Sequence, residues 1–183
     1  ALGLGHAVLC AEKLVRDEPF AIILADDLLD GQPPVLKQML KVFDEQNGSV
    51  LAVEKIDPSK SSSYGIISGT EVSKGIYRLD GIVEKPQPKD APSNLAVVGR
   101  YVLSSDIFNH IRNLKPGAGG EIQLTDAIAS LLKEEPVFAY EYDGVRYDCG
   151  SRLGYLKASV EFALRHPEVS TEFAAYLKSR SLT

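Results

Sequence analysis

Residues 20–27 form an apolar run that ends in two carboxylates, Phe20-Ala21-Ile22-Ile23-Leu24-Ala25-Asp26-Asp27. A short, continuously apolar run is typical of a central strand buried on both faces of a sheet. Because ligands of open α/β sheets bind beyond the carboxyl ends of the strands, we expect Asp26 and Asp27 at the mouth of a cleft. Carboxylates at that place suit Mg²⁺ and phosphate chemistry. Two acids after a strand can also simply solvate a turn, since Asp is common in turns.

The composition is that of one folded domain with a substantial core: 183 residues, 44% hydrophobic and 25% charged. The formal net charge of −5 and the pI near 5.3 argue against a nucleic-acid-binding protein, which normally has a basic face. The sequence has no apolar run long enough for a membrane span, and its first residues do not have the pattern of a secretory leader, so we expect neither. Cys10 and Cys149 are too few for a disulfide framework and lack metal-site spacing, so we expect a cytoplasmic protein.

Helical and strand patterns alternate from the start of the chain. Residues 7–15 and 35–43 have apolar side chains at helical spacing, and Asn47-Gly48 is a typical end for the second helix. Residues 20–25 and 49–53 are predicted buried strands. This order predicts an α/β fold with at least one right-handed crossover.

A glycine-rich turn, Gly3-Leu4-Gly5-His6-Ala7, leads into the first predicted helix. Free backbone N–H groups at a helix N-terminus suit an anion, and His6 could donate to a phosphate there. Glycines before a helix are equally often only a flexible turn, and His6 could only cap it. The sequence leaves these interpretations open.

Glu84 and Lys85 lie near the end of a predicted strand, since Pro86 bars its continuation in the middle of a sheet. A carboxylate beside an ammonium group suits a sugar phosphate, the acid for hydroxyls and the base for phosphate. A solvated surface pair is the alternative. Gly65 and Gly99 interrupt other apolar strands, which indicates close approach of a backbone or ligand.

Asp148 ends a second strand and precedes a predicted helix over residues 152–165. It is either part of the helix N-terminus or a metal ligand that faces Asp26. A last helix, residues 171–178, is predicted to lie at the periphery. We therefore treat residues 1–183 as one domain, with residues 151–183 as a carboxyl-terminal helical extension.

Seven segments together resemble bacterial UTP–glucose-1-phosphate uridylyltransferase, also called UDP-glucose pyrophosphorylase. They are Gly3–Ala7, Leu24–Asp26, Tyr64–Gly65, Val83–Pro86, Asn94–Tyr101, Gly120–Asp126 and Tyr147–Gly150. Glu84-Lys85-Pro86 and the strand-end Asp26 are shared with the wider sugar-nucleotidyltransferase superfamily. The Gly3–Ala7 and Glu121–Asp126 segments are more specific to the uridylyl enzyme.

The resemblance implies a nucleotide-diphospho-sugar transferase fold of Rossmann-like type, a mixed, mostly parallel sheet flanked by helices. It implies the reaction of UTP with glucose 1-phosphate to give UDP-glucose and pyrophosphate, and a homo-oligomer. Asp26, Lys85 and Asp148 would be catalytic, with Mg²⁺ on the two aspartates. The implied substrate-binding residues are Gly5, His6, Gly65, Glu84, Lys85, Val98 and Gly99.

The chain departs from the family at its start. The family begins with a strand and a glycine-rich loop whose Arg and Lys grip the nucleoside triphosphate, whereas the early basic residues here, Lys13 and Arg16, lie in a predicted helix. We therefore expect a carboxyl-terminal portion of the enzyme, inactive or weakly active, with an exposed sheet edge that favours self-association. The alternatives are a non-catalytic sugar-phosphate binding or assembly module, and a sugar nucleotidyltransferase that uses another base.

Overall fold

A computed structural model describes residues 2–180. Its helices are α1 Leu4–Leu9, α2 Glu12–Val15, α3 Val35–Gln46, α4 Ile107–Asn113, α5 Leu124–Leu131, α6 Arg152–Arg165 and α7 Ser170–Lys178. Its strands are β1 Phe20–Ile23, β2 Asp27–Asp30, β3 Ser49–Lys55, β4 Gly65–Ser73, β5 Ile76–Glu84, β6 Leu95–Leu103, β7 Val137–Glu141 and β8 Val145–Asp148. The predicted helix over residues 7–15 is interrupted by a turn and becomes α1 and α2.

Six strands form one mixed sheet in the order β1-β6-β3-β7-β5-β4, and β2 pairs with β8 in a separate small sheet. The predicted mixed sheet flanked by helices is confirmed. The expectation of mostly parallel pairs is wrong, because β3 with β7 is the one parallel pair among the described strands. Strand β6 lies between β1 and β3 and is antiparallel to both. The apolar character of residues 94–103 does not predict this position in the sheet.

Strand β1 is at the edge of the sheet that residues 2–180 form, where it has one neighbouring strand. It pairs with β6, and its residues alternate between partly buried and exposed positions. Phe20 and Ile22 pack against the core, whereas Ile23 is 57% exposed. An apolar run records hydrophobicity but not the number of neighbouring strands.

The core lies on both faces of the sheet. Alternate residues of β3 point to opposite faces, Leu51 into a cluster with α4 and α5 and Val50 into a cluster with α3. The predicted helix over residues 35–43 is confirmed: α3 buries Met39, and Asn47 ends it in the left-handed conformation at φ 52°. These two layers place the start of β4, the end of β5 and the middle of β6 around one cleft.

Helices α6 and α7 cover little of this core. Ala158 is the one buried residue of α6, and α7 has none within its described range. These two helices make up most of the extension proposed for residues 151–183, of which residues 181–183 lie outside the described range. That the extension belongs to the same domain as residues 1–150 stays a prediction. In residues 2–180, no helix is long and apolar enough to cross a membrane.

Candidate active site

The small sheet brings Asp26 and Asp148 together. Strands β2 and β8 pair antiparallel with Asp27 opposite Asp148, and the Cys149 N–H donates to the Asp26 carbonyl at 2.7 Å. A Cβ built on Gly150 would lie 3.2 Å from Oδ2 of Asp26 and 3.2 Å from Oδ1 of Asp148. Both carboxylate oxygens therefore lie within 3.2 Å of one point, and the distance between them is at most twice 3.2 Å.

This pair suits Mg²⁺ better than a metal that needs an all-protein cage. Within residues 2–180, no group of three or more His, Cys, Asp or Glu side chains could hold a metal ion. Mg²⁺ is commonly held by one or two carboxylates and completes its shell with substrate phosphates and water. The donors present thus fit an ion that arrives with a phosphorylated substrate.

A cleft with a volume of about 210 Å³, open at its mouth, connects the aspartate pair to Gly65 at the start of β4, to Glu84 at the end of β5 and to the middle of β6. This volume is smaller than the roughly 300–1,000 Å³ of complete small-molecule pockets. Six of the predicted site residues line it: Asp26, Gly65, Glu84, Val98, Gly99 and Asp148. The fold thus gathers, at one place, residues that are far apart in the sequence.

Glu84 is held at the cleft wall by a residue to which the sequence analysis gave no role. Thr125 Oγ1 donates to Glu84 Oε2 at 2.6 Å, and a Cβ on Gly65 would lie 3.4 Å from each of these two oxygens. Gly65 therefore leaves open the space in front of an oriented carboxylate. The only sequence signal for Thr125 is its place in the segment that carries the resemblance.

Lys85 lies beside the cleft rather than in its lining. Its side chain is 55% exposed, and Nζ lies 3.6 Å from Glu84 Oε1. Its backbone has φ 47°, in the left-handed region, and its N–H donates to the Tyr64 carbonyl at 2.9 Å. The chain turns sharply here to place Lys85 next to Glu84, at a conformational cost for a residue with a Cβ.

Gly5 and His6 are not part of the lining, although Leu4 of the same helix is. The Gly5 N–H donates to the Ile122 carbonyl at 2.9 Å, and a Cβ there would lie 2.8 Å from the same oxygen. His6 is partly exposed, with Nδ1 4.0 Å from Cys10 Sγ. Packing against Ile122 explains Gly5, and the nucleotide roles of Gly5 and His6 stay predictions.

Asp27 lines the cleft, as the sequence analysis expected of both aspartates, but its side chain is buried and engaged by protein groups. It is buried at 7% exposure, and its Oδ2 accepts the Gly99 N–H at 2.6 Å. A Cβ on Gly99 would lie 2.7 Å from the Asp27 Cβ and 2.8 Å from the Leu24 Cβ. The close packing of Asp27 against the backbone at position 99 therefore requires a glycine there, whether or not a sugar also lies against Gly99.

Arg146 is the site residue that the sequence analysis missed completely. Its Nε donates to Asp27 Oδ1, and its Nη1 donates to Glu54 Oε1 at 2.8 Å and to the Tyr64 hydroxyl at 3.3 Å. Burial alone would lower the pKa of Arg146, but the hydrogen bonds to Asp27, Tyr64 and Glu54 outweigh it and raise that pKa. Arg146 is thus a fixed positive charge among acidic side chains.

Comparison with known proteins gives the family. A family model described as nucleotidyl transferase matches residues 1–164. The chain belongs to the nucleotidyl transferase family. Its curated relatives include a UTP–glucose-1-phosphate uridylyltransferase of Bacillus subtilis, 46% identical over 177 residues, which cover 97% of this chain and 60% of the relative. One of Streptococcus pyogenes is 46% identical over 180 residues, covering 96% and 59%.

Solved structures of this nucleotidyl transferase family agree with the fold. A UDP-glucose pyrophosphorylase in complex with UDP-glucose is 46% identical, with a TM-score of 0.86 over 90% of this chain and 64% of that one. A UTP-bound enzyme from Acinetobacter baumannii is 40% identical, also with a TM-score of 0.86, covering 98% and 63%. The chain spans about three fifths of the length of the curated relatives it matches.

Proposed function

We propose that the chain acts in the transfer of a uridylyl group from UTP to glucose 1-phosphate, which gives UDP-glucose and pyrophosphate. The names of the curated relatives and the UDP-glucose complex of a similar structure support this substrate class. The observation that carries the proposal is the position of the Asp26 and Asp148 carboxylate oxygens, which flank one point of the cleft that Glu84 also lines.

The chemistry joins two anions. A phosphate oxygen of glucose 1-phosphate attacks the α-phosphorus of UTP, and the bond from that phosphorus to the bridging oxygen breaks as pyrophosphate leaves. Such transfers depend on positioning and on electrostatic stabilisation, and no covalent protein intermediate is needed. Asp26 and Asp148 would hold Mg²⁺, which neutralises phosphate charge when bound.

The remaining residues of the proposed site bind and orient. Glu84, fixed by Thr125, would accept hydrogen bonds from glucose hydroxyls, and Gly65, Val98 and Gly99 would let the hexose lie against the backbone. Lys85 would pair with the sugar phosphate, since its ammonium group is exposed beside Glu84. Gly5 and His6 would lie nearer to the nucleotide, on the α1 side of the cleft.

Titration of the 183-residue chain with UDP-glucose, with and without Mg²⁺, tests the proposal. We expect Mg²⁺ to strengthen binding, and Asp26→Asn and Asp148→Asn each to remove that gain. Asp44→Asn, on an exposed position of α3, is the matched control and should behave as wild type. Binding that is equal with and without Mg²⁺ would remove the aspartate pair from the mechanism and favour a non-catalytic binding module, whereas absent binding would contradict the proposal for this chain.

We also propose a homo-oligomer in the cytoplasm that binds neither nucleic acid nor membranes. The free thiols of Cys10 and Cys149 suit a reducing compartment, and the net charge of −5 disfavours nucleic acid. Sedimentation of the purified chain would measure the subunit number.

A further inference from the structure

Asp27 is an anchor between strands rather than a third metal ligand. Both of its carboxylate oxygens are engaged, Oδ1 by Arg146 Nε and Oδ2 by the Gly99 N–H. Its backbone carbonyl accepts from Arg100 Nη2 at 3.0 Å. Asp27 is adjacent to Asp26 in sequence and opposite Asp148 in the sheet, but protein donors already bind both of its carboxylate oxygens.

Arg146 is held from the other side as well. Glu54 of β3 and Tyr64, which precedes β4, both accept from Nη1, and the guanidinium carbon lies 5.2 Å from the centre of the Tyr64 ring. The side chain of Arg146 is 12% exposed and that of Asp27 is 8% exposed. The contacts of this ion pair therefore tie the small sheet to Glu54 of β3, to Tyr64 before β4 and to Gly99 in the middle of β6.

We propose that Arg146 is a positioning residue that acts through Asp27 to fix the separation of the Asp26 and Asp148 carboxylates. Arg146 is two residues before Asp148 on β8, and Asp27 directly follows Asp26, so their ion pair crosses between the two segments that carry the metal ligands. Outer-shell partners of metal ligands typically contribute 10–100-fold to metal affinity or activity, and here the link to each ligand runs through the backbone of β8 and of residues 26–27. The inference rests on the proposed role of the two aspartates.

Mn²⁺ replaces Mg²⁺ as the test ion, because electron paramagnetic resonance measures free Mn²⁺ directly, without turnover. We expect Arg146→Gln to weaken Mn²⁺ binding to the 183-residue chain by roughly 10–100-fold, and Asp27→Asn to weaken it similarly. Since the two residues form one contact, the double variant should bind Mn²⁺ about as well as Arg146→Gln alone. Arg146→Lys, which keeps the charge but not the planar fork, should lie between wild type and Arg146→Gln.

Arg165→Gln is the matched control. Arg165 pairs with Asp30 of the same strand β2 at 2.7 Å, at the end away from Asp148. Arg165→Gln should leave Mn²⁺ affinity unchanged. Thermal unfolding of each variant separates loss of the fold from loss of the site, and Arg146→Lys and Asp27→Asn keep the test available if Arg146→Gln does not fold.

The outcomes are distinct. If Asp26→Asn weakens Mn²⁺ binding but folded Arg146 variants bind as wild type or more tightly, the positioning role is wrong and the proposed function stands. Effects of Arg146→Gln and Asp27→Asn that multiply would also overturn it, because the residues would then act separately. If Asp26→Asn itself changes nothing, the metal role of the aspartate pair fails, and the positioning role fails with it.

Discussion

The Asp27 carboxylate accepts a 2.6 Å hydrogen bond from the backbone N–H of Gly99, and a Cβ at Gly99 would lie 2.7 Å from the Asp27 Cβ. Real Cβ atoms do not approach one another so closely, so Gly99→Ala must push the small sheet away from β6. We expect the substitution to lower the free energy of unfolding by about 1–3 kcal/mol, the usual cost of overpacking. Urea unfolding measures this loss.

Gly65→Ala is the matched substitution in the same cleft. A Cβ at Gly65 would have its nearest neighbours at 3.4 Å, an ordinary contact distance, so the unfolding free energy should change by less than about 1 kcal/mol. The added methyl group nevertheless enters the space in front of Glu84, and we expect weaker UDP-glucose binding. Equal stability losses at positions 65 and 99 would contradict the assignment of Gly99 to close packing.

The hydrogen bond from Thr125 to Glu84 gives a second prediction. Thr125→Val keeps the shape of the side chain but removes the donor, and a hydrogen bond to a charged group contributes about 1.5–3 kcal/mol. We expect UDP-glucose affinity to fall by roughly tenfold or more, because Glu84 loses its fixed orientation. Calorimetric titration measures the change.

Thr125→Ser is the control for that substitution. It retains the hydroxyl, so it should keep most of the UDP-glucose affinity. If the Val and Ser variants bind UDP-glucose equally well, Thr125 does not orient Glu84 for the ligand.

Asp126, next along α5, gives a prediction of pH dependence. Burial, and then the nearby negative charge of Glu84, raises the pKa of Asp126 above its usual range. The folded chain therefore holds this proton more tightly than the unfolded chain, and ionised Asp126 costs stability at neutral pH. We expect Asp126→Asn to be the more stable protein at neutral pH.

This advantage should shrink as the pH falls through the raised pKa towards 3.8, the ordinary value, since wild-type Asp126 then takes up its proton. Urea unfolding at a series of pH values measures the difference, and Asp44→Asn controls for the loss of one negative charge. An advantage of Asp126→Asn that grows on acidification would reverse the sign and refute the prediction.

The sequence predicts local features of this molecule better than its long-range pairings. The spacing of apolar residues gives α3, because a helix buries one face whatever it packs against. The same kind of pattern does not give the neighbour of β1, since β6 returns antiparallel to it from a distant part of the chain. Strand-end acids give Asp26 and Asp148, the pair that the fold brings together.

Arg146 and Thr125 could not be found in this way. Arg146 is singled out by its ion pair with Asp27, and Thr125 by its hydrogen bond to Glu84. Neither contact follows from the spacing of residues along the chain. Gly99 was noticed as a glycine in a strand, but its reason, the approach of Asp27, is visible only when β2 and β6 are placed side by side. The roles of these three residues depend on burial and on contacts between segments that are far apart in the sequence.

The left-handed backbone of Lys85 allows its charge to be separated from its conformation. A residue with a Cβ at φ 47° carries a backbone strain of roughly 1–2 kcal/mol, which glycine lacks. Glycine in turn costs about 0.5–1 kcal/mol of stability, because its unfolded chain has more conformational entropy to lose. Lys85→Gly should therefore match or slightly exceed wild type in unfolding free energy, whereas Lys85→Met should not exceed it. Both remove the ammonium group, so both should weaken glucose 1-phosphate binding equally in calorimetric titrations. A Lys85→Met variant that binds glucose 1-phosphate as wild type would show that the ammonium group is not the phosphate contact, whatever the stability of Lys85→Gly.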